Sequence, residues 1–138
     1  MSQKTILIVD DDPDVRLGLH VRLKANNYDV FFAGDGMASI AEARKHMPDL
    51  IILDLGLPAG DGFTVMERLK ANDALALIPV IVVSARDCIT NMDRALKAGA
   101  KAFLQKPVAN AELLAVIRKA LGEPPPRSRP VVYDLGEP

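Results

Sequence analysis

Along the chain, short uninterrupted apolar runs alternate with longer stretches in which apolar residues return every three or four positions. The runs are Ile6 to Val9, Val30 to Ala33, Leu50 to Leu53, Val80 to Val83 and Ala102 to Leu104. Each has the length of a strand rather than a helix. Between them, Val15, Leu19 and Leu23 form one stripe within Asp14 to Asn26 while Arg16, Arg22 and Lys24 take other faces, which predicts an amphipathic helix. Met37 to His46, Phe63 to Ala71, Ile89 to Ala98 and Ala111 to Leu121 read the same way. Boundary residues agree: Asp35-Gly36, Gly60-Asp61-Gly62 and Asn110 are turn or N-cap types, and Gly99 and Gly122 stand where helices end.

Strand alternating with helix predicts a parallel sheet, and runs that are apolar throughout suit strands covered on both faces. The fold class is therefore α/β, a three-layer α/β/α sandwich. Right-handed crossovers bring every strand C-terminus to one edge, and open α/β sheets bind in the crevice there. The residues that matter are those just after each strand.

Size and charge narrow the picture. The 138 residues suffice for one domain with a real core. With 17 basic against 18 acidic side chains, no bulk field draws the chain to nucleic acid or an anionic membrane. A single cysteine, Cys88, cannot make an internal disulfide, the start has no signal-peptide pattern and no run spans a bilayer, so a cytoplasmic location is expected. Five of the ten prolines, at 124, 125, 126, 130 and 138, crowd into 123–138. That segment reads as an extended tail or linker toward a downstream domain, leaving 1–122 as the folded unit.

The strand ends supply Asp10, Asp11 and Asp12 after the first, Asp54 after the third, Ser84 after the fourth and Lys106 after the fifth. Carboxylates gathered in a cleft raise a pKa or recruit a cation, and Mg²⁺ (or Mn²⁺) binds through a few carboxylates plus water and phosphate oxygens. Asp10, Asp11 and Asp54 are balanced by such an ion together with Lys106. A phosphoryl group on Asp54, bringing a charge of about −2, is tolerable only with both cations present. An aspartate can act as the nucleophile, and phosphoryl transfer asks mainly for positioning and charge neutralisation. Bland readings stand beside these: Asp12 before Pro13 as a helix cap, Ser84 as a turn hydroxyl, Lys106 as a surface lysine. Asp54 resists such a reading because it closes an apolar strand. His20, His46 and Cys88 show no metal-ligand spacing.

The segments Ile6-Leu-Ile-Val-Asp-Asp-Asp-Pro, Asp49-Leu-Ile-Ile-Leu-Asp-Leu-Gly-Leu-Pro-Ala-Gly-Asp-Gly62, Val80-Ile-Val-Val-Ser-Ala85 and Gly99-Ala-Lys-Ala-Phe-Leu-Gln-Lys-Pro107 together resemble a response-regulator receiver domain of two-component signalling, chemotaxis-regulator-like, over residues 4 to 121. The resemblance implies a flavodoxin-like sheet in the order 2-1-3-4-5. It implies that Asp10, Asp11, Asp54 and the backbone carbonyl of Gly56 hold the metal, and that Asp54 takes a phosphoryl group from a histidine kinase or phosphotransfer protein. Ser84 and Lys106 bind that group, Lys106 precedes a cis proline, and Ser84 with Phe103 forms the switch. The output face is then the fourth helix, fifth strand and fifth helix, serving an output partner or a downstream domain.

Gly56 and Arg86 depart from common residues at positions that border the phosphoryl group and modulate its loss. Lys101 and Ala102 stand where many DNA-binding regulators carry acidic residues used in dimers, so a phosphorylation-dependent dimer of the common kind is not implied. The chain is expected to be a switch rather than an enzyme beyond its own phosphorylation and dephosphorylation. The alternatives are a phosphorylation-independent docking module and a phosphatase with an aspartate nucleophile, the latter lacking an acidic general acid at Gly56. No Gly-x-Gly-x-x-Gly supports a dinucleotide site.

Overall fold

Strand β1 (Thr5–Val9) lies inside the sheet, and Ile6, Leu7 and Ile8 are fully buried. It pairs on one side with β2 (Asp29–Ala33) and on the other with β3 (Leu50–Leu53); β4 (Val80–Ser84) and β5 (Ala102–Gln105) follow outward. The computed structural model describes residues 3–57 and 61–124, so Gly60 and the proline-rich tail from 125 onward lie outside the described residues. All pairings are parallel and the order is β2-β1-β3-β4-β5, as the resemblance implies.

Strand alternation splits the core in two. Leu7, Val9, Ile51, Leu53, Val82 and Phe103 face one cluster, which takes Ala43 of α2 (Gly36–His46), Phe63, Val65, Met66 and Leu69 of α3 (Gly62–Ala71) and Ala95 of α4 (Cys88–Lys97). Ile6, Ile8, Leu50, Ile52, Ile81, Val83 and Leu104 face the other. There Leu19 and Leu23 of α1 (Pro13–Ala25) and Leu113, Leu114 and Ile117 of α5 (Asn110–Ala120) close over them. The expected sandwich is present. The expectation that every strand is buried on both faces fails at β2, where only Ala33 is buried and Phe32 is 38% exposed, because β2 forms an open edge.

Four helices begin on an aspartate. Asp12 accepts from the Asp14 N–H at 2.8 Å, Asp35 from Ala38 at 2.7 Å, Asp61 from Phe63 at 3.3 Å and Asp87 from Ile89 at 3.2 Å. Asn110 does not cap α5. It is the first helical residue, preceded by Ala109, which has no side chain able to cap. Leu113 and Ile117 hold this helix against the core without a side-chain cap at its start. Gly99 and Gly122 take positive φ of 111° and 71° at the ends of α4 and α5. The N–H groups of the residues after them reach back to Ala95 and Arg118, satisfying carbonyls the helices leave open. Among the described residues no helix is long and apolar enough to cross a membrane.

Candidate functional site

Parallel register carries the chain ends to one crevice. Asp54 N–H donates to the Val9 carbonyl at 2.9 Å and Asp10 N–H to the Ala33 carbonyl at 3.1 Å, so both aspartates continue the hydrogen-bond ladder by one step. Their side chains are buried where the apolar strands end, at 3% exposure for Asp10 and 9% for Asp54, while Asp11 is exposed. One carboxylate oxygen from each of Asp10, Asp11 and Asp54 lies within 4.8 Å of the others.

Lys106 enters from the end of β5. Its backbone N–H donates to the Ser84 carbonyl at 2.8 Å, tying the last two strands together beside the cleft. Its Nζ donates to Asp10 Oδ2 at 2.8 Å and to Asp54 Oδ2 at 3.4 Å. Burial alone lowers a lysine pKa. Here the hydrogen bond to Asp10 and the charges of Asp54 and Asp10 outweigh it, holding Lys106 above the usual lysine range. The cation is therefore permanent at neutral pH, against three carboxylates. A hard divalent ion fits the donor set, since oxygen ligands and surplus negative charge are what Mg²⁺ or Mn²⁺ takes. Asp10, Asp11 and Asp54 are the side chains that could hold it.

Of the remaining expected residues, Gly56, Ser84 and Arg86 lie at the same edge and Phe103 lies beneath it in the core. Gly56 is exposed, and its N–H donates to Asp54 Oδ1 at 3.2 Å, holding the carboxylate oxygen that Lys106 does not bond. A Cβ at Gly56 would meet nothing, so the approach to Asp54 is open there. Ser84 is 1% exposed and its hydroxyl accepts from the Arg86 N–H at 3.2 Å. Arg86 Nη1 lies 3.6 Å from Asp61 Oδ1, both groups more than a third exposed, which makes this a screened surface pair. Phe103 is 8% exposed, packed in the cluster beneath α3 and α4. The Lys106–Pro107 peptide bond is cis.

Three participants carry no local signal in the sequence. Arg16, read there only as part of a polar helix face, donates from Nη1 to the Asp10 carbonyl at 2.9 Å. Asp61, read as a turn or cap, also meets Arg86. Gln105 accepts from the Cys88 N–H at 3.3 Å, joining the end of β5 to the start of α4. Arg16 meets Asp10 across the turn between β1 and α1, and the other two contacts join separate elements, all beyond the reach of periodicity.

Residues 6–118 match the sequence profile of the family described as the response regulator receiver domain. The DNA-binding dual master transcriptional regulator RpaA of Synechocystis is 41% identical over 116 residues, which are 84% of this chain and 48% of RpaA. Among solved structures, a response regulator from Chloroflexus aurantiacus superposes with a TM-score of 0.84 at 30% identity, covering 88% of this chain and 100% of the other. The receiver domain of sensor histidine kinase PA1611 from Pseudomonas aeruginosa, which holds a magnesium ion in its active-site cleft, superposes with a TM-score of 0.81 at 26% identity over 88% of this chain and 100% of that one. The chain spans about half the length of RpaA.

Proposed function

The chain belongs to the response-regulator receiver domain family, and from that premise we propose that Asp54 accepts a phosphoryl group from the phosphohistidine of a histidine kinase or phosphotransfer protein. The observation that carries this reading is the meeting of three carboxylates within 4.8 Å, with Lys106 bonded to two of them. An Asp54 oxygen attacks phosphorus, the P–O bond forms as the P–N bond breaks, and the imidazole nitrogen leaves with the electron pair and takes a proton from solvent. Mg²⁺ or Mn²⁺, held by Asp10, Asp11 and Asp54 with the Gly56 carbonyl, supplies charge neutralisation and alignment when bound. Lys106 supplies a second positive charge and draws toward the incoming oxygens. Gly56 N–H keeps the Asp54 carboxylate turned to the opening.

Ser84 then donates its hydroxyl to a phosphoryl oxygen, a charge-assisted bond stronger than a neutral one. Val82 pairs with Phe103 and Ser84 with Gln105, so Ser84 and Phe103 lie on the same side of the sheet and a shift of the β4 end reaches that ring. A tenfold change in the balance of two conformations takes about 1.4 kcal/mol. The output face is α4, β5 and α5, where Ile89, Met92 and Leu96 of α4 are exposed apolar side chains. Gly56 and Arg86 border the phosphoryl group and set how readily water removes it. We place the receiver at 1–122 and a proline-rich tail or linker at 123–138.

Incubation with acetyl phosphate and Mg²⁺ followed by intact-mass measurement tests the reading. The wild type is expected to gain one phosphoryl group and Asp54→Ala none. An unlabelled wild type, or equal labelling of both proteins, overturns it.

A further inference from the structure

Arg16 reaches from the first turns of α1 back over the end of β1, half-buried, and its Nη1 bonds the Asp10 carbonyl oxygen at 2.9 Å. Room for the guanidinium exists because residue 34, just after β2, is glycine: a Cβ there would stand 3.1 Å from Nη1. Asp10 is otherwise held on every polar atom. Its N–H donates to Ala33, its Oδ1 accepts from the Asp12 N–H at 2.9 Å, and its Oδ2 accepts from Lys106 at 2.8 Å. Asp11 differs. It is exposed, and its carboxylate has no hydrogen bond or ion pair among the described residues, although it belongs to the cluster of three. Its direction therefore comes from its backbone. The carbonyl that Arg16 grips is part of the rigid peptide unit that ends at Asp11 N.

We infer that Arg16 is a positioning residue for divalent-metal binding: lodged beside Gly34, its guanidinium holds the Asp10–Asp11 peptide and so aims the free Asp11 carboxylate into the cleft. The role rests on reading Asp10, Asp11 and Asp54 as a metal site. It makes a prediction opposite in sign to simple charge. A guanidinium near a dication repels it, so on Coulomb grounds alone removing Arg16 tightens binding. If positioning governs, removing it weakens binding.

The experiment is titration of the metal-free 138-residue protein with Mg²⁺ by calorimetry, and with Mn²⁺ by electron paramagnetic resonance, for the wild type, Arg16→Met, Arg16→Lys, Gly34→Ala and the Arg16→Met/Gly34→Ala pair. Each metal-free protein is also melted. Arg16→Met is expected to weaken the metal about tenfold, the lower end of what loss of a partner behind a metal ligand costs. Arg16→Lys recovers part of that loss by restoring a donor. Gly34→Ala weakens binding less, by nudging the guanidinium, and adds nothing once Arg16 is gone. Metal affinity in Arg16→Met equal to or tighter than in wild type, or a change confined to the melting temperature, overturns the role of Arg16 while leaving the metal site intact. A wild type that binds neither ion overturns the site and the role together.

Discussion

At the scale of single residues, the proposed acceptor site concentrates negative charge at the ends of apolar strands. Asp10 and Asp54 are buried at the ends of apolar strands, with Asp11 beside them and Lys106 as the cation in direct contact. Like charges this close repel, and groups arranged for function commonly cost stability. Asp54→Asn is therefore expected to stabilise the metal-free protein by on the order of 1 kcal/mol, read from urea unfolding. Added Mg²⁺ then narrows the gap, because the wild type gains by ligand binding to the folded state while the variant has lost a ligand. An Asp54→Asn protein less stable than wild type without metal would show that the cluster is not under charge strain. The sequence makes these carboxylates and Lys106 legible because each stands within two residues of the end of an apolar run. Arg16 was invisible as a site residue, since its partner lies across a turn and its space depends on Gly34, which is close only in three dimensions.

At the scale of elements, the helices differ in how their ends are secured. Four start on an aspartate whose side chain bonds the first turn, whereas α5 starts on Ala109 with φ −67° and ψ 139°, a backbone suited to a cap that has no side chain to make it. Ala109→Asp is expected to raise stability by about 1 kcal/mol, measured as a shift of the denaturant midpoint; no gain would mean that the α5 N-terminus is satisfied otherwise. The start of α3 shows the opposite situation. A Cβ on Gly62 would stand 2.6 Å from Leu55 Cα and 2.7 Å from the Asp54 carbonyl oxygen, both backbone atoms that cannot swing away. Gly62→Ala should cost about 1 to 3 kcal/mol and slow phosphorylation of Asp54 by acetyl phosphate, since the strain falls on the acceptor's own peptide. Wild-type thermal stability in that variant would sink the argument. Element identity was readable from periodicity throughout. Every helix begins one residue before the start read from the pattern, and Asn110, read as a cap, is instead the first helical residue of α5.

At the scale of the whole molecule, the pole away from the acceptor is closed by Tyr28. Its hydroxyl donates to Glu123 Oε1 at 2.8 Å, with Arg118 Nη1 3.8 Å from the same carboxylate oxygen, fixing the chain just after α5 to the start of β2. Burial, then the hydrogen bond and charge of Glu123, push the phenol from 10.0 to about 12. A raised pKa means the folded state keeps its proton longer than the unfolded chain. The resulting stability is complete below about pH 10 and is lost as pH climbs toward about 12. Tyr28→Phe should lose less stability across that interval by on the order of 1 to 2 kcal/mol, with Lys106 contributing equally to both proteins. Parallel pH profiles in urea unfolding would contradict this. None of it was legible in the sequence, because Tyr28 and Glu123 sit 95 residues apart.

The sheet order has a consequence in time as well as in space. The carboxylates belong to early strands and their cation to the last one, so a ribosome delivers Asp10, Asp11 and Asp54 well before Lys106. Until β5 seats against β4, the acidic cluster has no lysine to offset it and no complete set of groups to receive a phosphoryl transfer. On the proposed reading, an unfinished or half-folded copy thus has the acceptor but not the means to use it. Competence to accept a phosphoryl group arrives, on that reading, only once β5 is seated, late in the synthesis of the domain and shortly before α5 closes over the sheet.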